Sequence, residues 1–265
     1  DNLTKNLPMI VDLKPSGTGY MEDLYKAGGS QRIFYELRDF LYLDAKSVNG
    51  TSIGDDIKGS AKWSQDIITN KSNPIFNAGS IAVLKGSLAP NSAIIKQSAA
   101  SENLLIHEGK AVVFEGLEDL ANRIDTDDLD VTKDDVLVLK SIGPKGGPGM
   151  PEAGLIPIPK KLARQGVKDM VRISDGRMSG TASGTIVLHV TPESYENGPL
   201  AIVQDGDLIK LDVPNRRIDL KISEKEIAKR IKKKEKMSIK RRGYNKIYME
   251  HVTQADKGVD FDFLI

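Results

Sequence analysis

A β-rich α/β protein is predicted, because nine short β-branched runs follow one another from residue 81 onward. These runs are IAVL, AIIKQ, AVVFE, VLVLK, MVRIS, TIVLHV, LAIVQ, LIKLDV and RRIDLKI. Gly, Pro, Asn and Asp turns separate them at fairly regular intervals, which is the pattern of a sandwich or barrel. Ahead of them, Met21, Leu24, Tyr25, Ile33, Phe34, Leu37 and Leu41 recur at helical spacing. Between these regions, residues 49–77 turn polar and rich in Gly, Asn and Ser, as a connection or domain boundary would.

Taken in chain order, MIVDL (Met9 to Leu13) reads as a short strand and the following KPSG as a turn. The helical run after it is expected to break in two at AGG, Ala27 to Gly29. GLEDLANRID and the tail from Ser223 interrupt the β-runs with helical spacing. In that tail, SEKE predicts a capping box, with Ser223 bonding the backbone three residues on and Glu226 reaching back. The acids around Asp127 to Asp135 read as turn chemistry. No repeat of fixed period is evident.

With 265 residues, the chain is long enough for one large domain or two smaller ones. No window is long and apolar enough for a spanning helix, and the first residues lack the pattern of a signal peptide, so a cytoplasmic protein without membrane association is expected. The start at Asp1, with an apolar run soon after it, suggests a fragment of a longer protein, and with the N-terminus missing an organellar location stays open. There is no cysteine. Disulfides, thiolate nucleophiles, zinc–thiolate sites and iron–sulfur ligation by this chain are thereby excluded. The net charge of +1 hides a basic segment, residues 221–250, with twelve Lys and Arg against four Glu. Its two tyrosines and its charge invite a nucleic-acid reading, but lysines on a solvated helix are commoner and the rest of the chain is acidic, so nucleic acid is not an expected partner.

Two segments carry chemistry. GPKGGPGMPE, Gly143 to Glu152, mixes glycines that allow close backbone approach with prolines that stiffen the path, and it ends in one acid. An ornate turn and an anion cradle built from exposed N–H groups fit it about equally, and it satisfies neither the Walker nor the dinucleotide pattern. Glu152 favours a functional role, since a carboxylate on a rigid loop suits a hard cation such as Mg²⁺. The second segment, ISDGRMSGTASGT, surrounds Ser179 with glycines and hydroxyls, which suits anion binding or an activated serine. A hydrolase triad is weakly supported: there is no nucleophile elbow, and of the three histidines, His107, His189 and His251, His189 reads as a strand residue.

Taken together, the words DLKPSGTGYMEDLYKAGG, NPIFNAGSIAVLKGSLAPNSAIIKQSAA, GKAVVFEG, GPKGGPGMPE, SDGRMSG, PESYENGPLAIVQDGDLIKLDVPNRRIDL and QADKGVDFDFLI are similar to a known family. The chain resembles the dehydratases that act on dihydroxy acids, phosphogluconate and sugar acids, and the likeness covers nearly all of it. The resemblance implies a swivelling β-barrel domain over residues 71–265, preceded by the C-terminal end of an α/β domain over residues 1–70. It implies Glu152 as a Mg²⁺ ligand and Ser179 as the catalytic base. It also implies an iron–sulfur cluster whose cysteines, with the other metal ligands, lie on an N-terminal domain that this chain lacks.

The implied function is a hydro-lyase that converts a 2,3-dihydroxy sugar acid into a 2-keto-3-deoxy acid, with the isolated chain inactive. Its implied partners are a small sugar acid or dihydroxy acid, the N-terminal domain of the same protein, and further copies of itself in a homo-oligomer. SDGRMSGTASGTIVLHV and the DFDFL ending look closer to the sugar-acid enzymes than to the branched-chain dihydroxy-acid dehydratase, which is the alternative. A third reading, from another class, is a non-catalytic barrel acting as a binding module.

Overall fold

The computed structural model describes residues 6–60, 65–234 and 242–264. The chain forms two compact units, residues 1–80 and 81–265.

In the first unit the helical run does break where Gly interrupts it, into α1 (Met21–Lys26) and α2 (Gly29–Glu36). A third helix, α3 (Ile53–Asp56), is capped by the Ser52 side chain, which accepts the Asp55 N–H at 3.1 Å. MIVDL is extended but makes no ladder: Met9, Val11 and Leu13 each form a single isolated bridge. The KPSG turn is held by Asp12, whose carboxylate accepts the Thr18 N–H at 2.9 Å and the Thr18 hydroxyl at 2.8 Å. The buried core of this unit is small, Ile10, Ala27 and Ile68, with Leu24, Ile33 and Leu37 packed beside it. Several large side chains stay outside it, including Tyr25 at 83% and Tyr42 at 89% exposure.

The second unit is built on eight strands: β1 (Ile81–Leu84), β2 (Ser92–Lys96), β3 (Ile106–Phe114), β4 (Val136–Leu139), β5 (Arg172–Ser174), β6 (Ile186–Thr191), β7 (Leu208–Asp212) and β8 (Arg217–Leu220). They form one mixed sheet in the order β1-β2-β6-β5-β4-β3-β7-β8. The four central strands, β3 to β6, run parallel, and the flanking pairs are antiparallel. The sheet nearly closes into a barrel, because β8 meets the turn after β1. Ile218 N–H donates to the Lys85 carbonyl at 3.2 Å, Leu220 N–H to Ser87 Oγ at 2.9 Å, and Ser87 N–H to Asp219 Oδ1 at 2.8 Å. Gly86 is required at this seam: a Cβ there would lie 1.9 Å from the Ile218 carbonyl oxygen.

Alternation along the strands separates two cores. Ala111, Val113, Val136, Val138 and Ile173 join residues from all the other strands in the inner cluster. Their neighbours Val112, Phe114, Leu137 and Leu139 face outward onto Leu120 and Ile124 and onto Leu162 and Met170. The parallel strands are thus covered on both faces, which explains why VLVL is apolar throughout. The outer cover comes from α4 (Leu117–Arg123), as GLEDLANRID predicts, and from α5 (Lys160–Arg164), a single turn whose only sequence marks are Pro159 before it and Gly166 after it.

Two local expectations fail. LAIVQ is not a strand: Pro199–Ile202 winds into a buried 3-10 turn, where Pro199 needs no N–H and the Gly198 carbonyl accepts from Ala201 N at 2.9 Å. The capping box at α6 (Glu224–Lys233) is half made. Ser223 accepts the Glu226 N–H at 3.2 Å, but the Glu226 carboxylate turns to Lys229 and Arg230 instead of back to the backbone. Ile227 and Ile231 of α6 pack on the inner core, leaving Lys225, Lys229 and Lys232 exposed as a solvated face. The rest of the basic run, residues 235–241, lies outside the described residues; beyond it α7 (Tyr244–His251) leads to the C-terminal segment. No helix among the described residues is long and apolar enough to cross a membrane.

Replacing Gly86 by Ala forces its Cβ against the Ile218 carbonyl at the seam. Urea unfolding is expected to show a loss of about 1–3 kcal/mol, typical of overpacking, and an unchanged midpoint would contradict the closed seam.

Candidate functional site

Three loops leave the same edge of the barrel, because β4, β5 and β6 are adjacent and parallel and each is followed by its loop at the carboxyl end. Loop ends at this edge of a parallel sheet are the usual place for a ligand. Here they are GPKGGPGMPE after β4, SDGRMSG at the end of β5, and Pro192-Glu193-Ser194 after β6.

Two buried carboxylates bind these loops together. Asp175 has no solvent exposure; it accepts N–H groups from Ile142 at 2.9 Å and Ser141 at 3.3 Å in the first loop, and from Ser194 at 2.8 Å in the third. Glu193, equally buried, accepts the Lys145 N–H on both oxygens at 3.0 Å and the Gly146 N–H at 2.9 Å. Gly143 makes room for this: a Cβ there would sit 2.7 Å from Glu193 Oε2. The glycine-rich loop is therefore an anion cradle, and the anion is the protein's own. Burial pushes both acids above their ordinary pKa, and the N–H donors work against it.

Glu152 lies beyond the cradle, exposed, on a path fixed by Gly147 N–H to the Gly143 carbonyl at 2.8 Å and Met150 N–H to the Gly147 carbonyl at 2.7 Å. Arg177 of the second loop meets this path three times. Its Nε donates to the Met150 carbonyl at 2.7 Å, its carbonyl accepts the Gly154 N–H at 2.7 Å, and its guanidinium stands 3.4 Å from the Glu152 carboxylate. Ser179 follows two residues later, half-buried, with its Oγ 2.9 Å from the Thr181 hydroxyl and 3.4 Å from the Thr181 N–H.

Both predicted residues thus belong to loops locked together through Arg177. The C-terminal foot of the Ser179 loop is held separately by Asp169. Its carboxylate accepts the Thr185 N–H at 2.9 Å, the Thr185 and Ser101 hydroxyls at 2.7 Å each, and Arg172 at 2.7 Å. Burial opposes the Asp169 charge, but the Thr185 and Ser101 donors and the Arg172 guanidinium outweigh it, so its pKa falls below the ordinary carboxylate range.

No histidine partners Ser179. His107 Nε2 meets the Asp134 carbonyl at 2.8 Å and His251 Nδ1 meets Asp262 at 2.9 Å. His189 is half-buried, its Nδ1 has no hydrogen-bond partner, and burial, with the nearby Arg177 charge, lowers its pKa. Among the described residues, no cluster of three or more His, Cys, Asp or Glu could hold a metal ion. Glu152 suits a hard cation as a single carboxylate ligand, being exposed and only loosely paired with Arg177. The absence of cysteine means that nothing in this chain fits an iron–sulfur cluster through thiolates. Glu193 and Gln254, which complete the cradle, fall in the family-like stretches PESYENGPL and QADKGVDFDFLI, but nothing local there links either to the glycine-rich loop.

Family comparison agrees with this architecture. Residues 66–259 match the model described as dihydroxy-acid/6-phosphogluconate dehydratase C-terminal, and residues 1–56 match the corresponding N-terminal model. The chain belongs to this family of dehydratases. Among curated relatives it is 50% identical to a Rhizobium meliloti (strain 1021) dehydratase, aligned over 100% of this chain and 46% of the relative. It is 44% identical to the L-arabinonate dehydratase of Rhizobium leguminosarum bv. trifolii, over 100% of the chain and 46% of the relative. It is 38% identical to the dihydroxy-acid dehydratase of Methanococcoides burtonii, over 97% of the chain and 47% of the relative. The chain spans about half the length of the curated relatives it matches.

Asp169→Asn places an amide among donors that now face a carboxylate. Its folded-state pKa is depressed, so its contribution is complete above the unfolded value and is lost as pH falls through the native one. Urea midpoints of the two proteins should therefore differ from pH 7 down to about pH 4 and converge below it. A gap that widens on acidification would contradict the assignment.

Proposed function

We propose that the protein containing this chain is a hydro-lyase that dehydrates a 2,3-dihydroxy sugar acid to a 2-keto-3-deoxy acid, with Glu152 as a Mg²⁺ ligand and Ser179 as the base. The observation that carries this reading is the Arg177 junction, which ties the loop ending in Glu152 to the loop bearing Ser179. Mg²⁺ held by Glu152 would supply Lewis-acid stabilisation of the negative charge that the substrate develops on losing its C2 proton. Ser179 Oγ takes the C2 proton. The electron pair of that C–H bond forms the C2–C3 double bond, and the C3–O bond breaks with its pair on the departing hydroxide, which receives the proton that Ser179 took, so that water leaves and the base is restored. The resulting enol tautomerises to the 2-keto acid.

A serine acts as a base only as its alkoxide, which neutral water disfavours strongly. The Thr181 hydroxyl and N–H, both directed at Ser179 Oγ, are donors that favour the ionised oxygen. His107 and His251 are engaged by Asp134 and Asp262, and none of the three histidines is hydrogen-bonded to Ser179, which supports this reading over a serine–histidine pair.

In this reading residues 1–70 end a larger α/β domain that carries the cluster cysteines and remaining ligands. The exposed Tyr20, Tyr25, Phe40 and Tyr42 of a unit with a small core support it. A sugar acid is favoured by SDGRMSGTASGT and by the greater identity to the L-arabinonate enzyme; the 38% identity to a dihydroxy-acid dehydratase keeps the branched-chain substrate as the second reading.

In the complete protein, Ser179→Ala should lower kcat by about a thousandfold with metal and iron contents unchanged. Turnover near the wild-type rate would remove Ser179 from the mechanism. A panel of pentonates, hexonates and dihydroxyisovalerate, compared by kcat/KM, separates the two substrate readings.

A further inference from the structure

Glu193 has no part in the reaction assigned above, yet it holds the loop that delivers Glu152. Its two carboxylate oxygens take the N–H groups of Lys145 and Gly146, and from there a continuous series of bonds runs forward. Gly147 N–H donates to Gly143, Met150 N–H to Gly147, and the Met150 carbonyl accepts from Arg177, which faces the Glu152 carboxylate. A shift of the Glu193 carboxylate therefore moves the start of a stiff path whose far end is Glu152.

The carboxylate is itself latched from the C-terminal segment. Gln254 Nε2 donates to Glu193 Oε1 at 2.6 Å, and the Glu193 N–H donates back to Gln254 Oε1 at 2.8 Å. This reciprocal pair fixes both the side chain and the backbone of Glu193. Gln254 is in turn placed by the fold of its own segment: the flanking Thr253 N–H donates to the Asp260 carbonyl at 2.8 Å, and Val252 bridges Phe261. Lys145 adds a second tie to the turn that follows Glu193, its Nζ lying 2.7 Å from Glu196.

We propose that Glu193, latched by Gln254, is the positioning residue that sets the Glu152 carboxylate for divalent-cation binding, so that the C-terminal segment governs metal affinity at this site. The proposal rests on the reading of Glu152 as a ligand. Glu193→Gln leaves the Lys145 and Gly146 N–H groups facing a neutral amide, and Gln254→Leu removes the latch while leaving the cradle in place.

The test is Mn²⁺ titration of the complete protein, followed by electron paramagnetic resonance, for wild type, Glu193→Gln, Gln254→Leu and Glu152→Gln. Both Glu193→Gln and Gln254→Leu are expected to weaken Mn²⁺ binding by about 10–100-fold, the usual effect of disturbing the groups that orient a ligand. They should raise the Mg²⁺ concentration needed for half-maximal activity, with kcat at saturating Mg²⁺ near the wild-type value. Wild-type affinity in both variants overturns the proposal. So does a reduced number of sites with unchanged affinity, which is what a merely structural role would produce. If Glu152→Gln itself leaves Mn²⁺ affinity unchanged, the ligand reading falls; if Glu152→Gln weakens binding and the other two variants do not, only the positioning role falls.

Discussion

The site depends on burying two carboxylates, Asp175 and Glu193, at the carboxyl edge of the parallel strands without a basic side chain bonded to either among the described residues. Removing a carboxylate from water costs several kcal/mol. Each hydrogen bond to a charged group returns about 1.5–3 kcal/mol, and three donors reach Asp175 while Lys145, Gly146 and Gln254 reach Glu193. The gain offsets the cost only if the donating loops stay in place, so the loops are held by the same bonds that make the acids tolerable. Loss of either acid also strands buried N–H groups, at about 1–3 kcal/mol each.

This arrangement explains the composition of GPKGGPGMPE. The loop has to expose successive N–H groups to one carboxylate, bring its backbone against the Glu193 side chain at Gly143, and then carry Glu152 outward along a fixed course. Glycine meets the first two needs, and the turn bonds at Gly147 and Met150 meet the third. The Ser179 loop is pinned in the same manner at both feet, by Asp175 at one end and by Asp169 with Arg172 at the other, which leaves the stretch between them to present the hydroxyls.

Much of this was legible in the residues. The β-runs marked seven of the eight strands as short segments between turns, and alternation within VVF and VLVL follows the two cores that cover β3 and β4. MVRIS marked the eighth, although only Arg172 to Ser174 pair. LAIVQ misled because its apolar content reflects burial in a 3-10 turn, which leaves no period to read. α5 escaped because a single turn is too short to show one. GPKGGPGMPE is both a turn and a cradle, but the acid it cradles lies 47 residues further on, and the latch on that acid another 61 residues beyond Glu193. Nothing local links those positions; only the parallel order of β4, β5 and β6 brings the loops together.

The carboxylate anchor is tested most directly by amide hydrogen exchange at Lys145 and Gly146, read residue by residue in the wild-type protein and in Glu193→Gln. Both amides sit in a surface loop rich in glycine, where exchange is ordinarily fast, yet both donate to a buried carboxylate. Strong protection in the wild type, lost at these two amides in Glu193→Gln while the β4 and β5 amides keep theirs, is the expected result. Exchange at open-loop rates in the wild type would contradict the anchor on which the site is built.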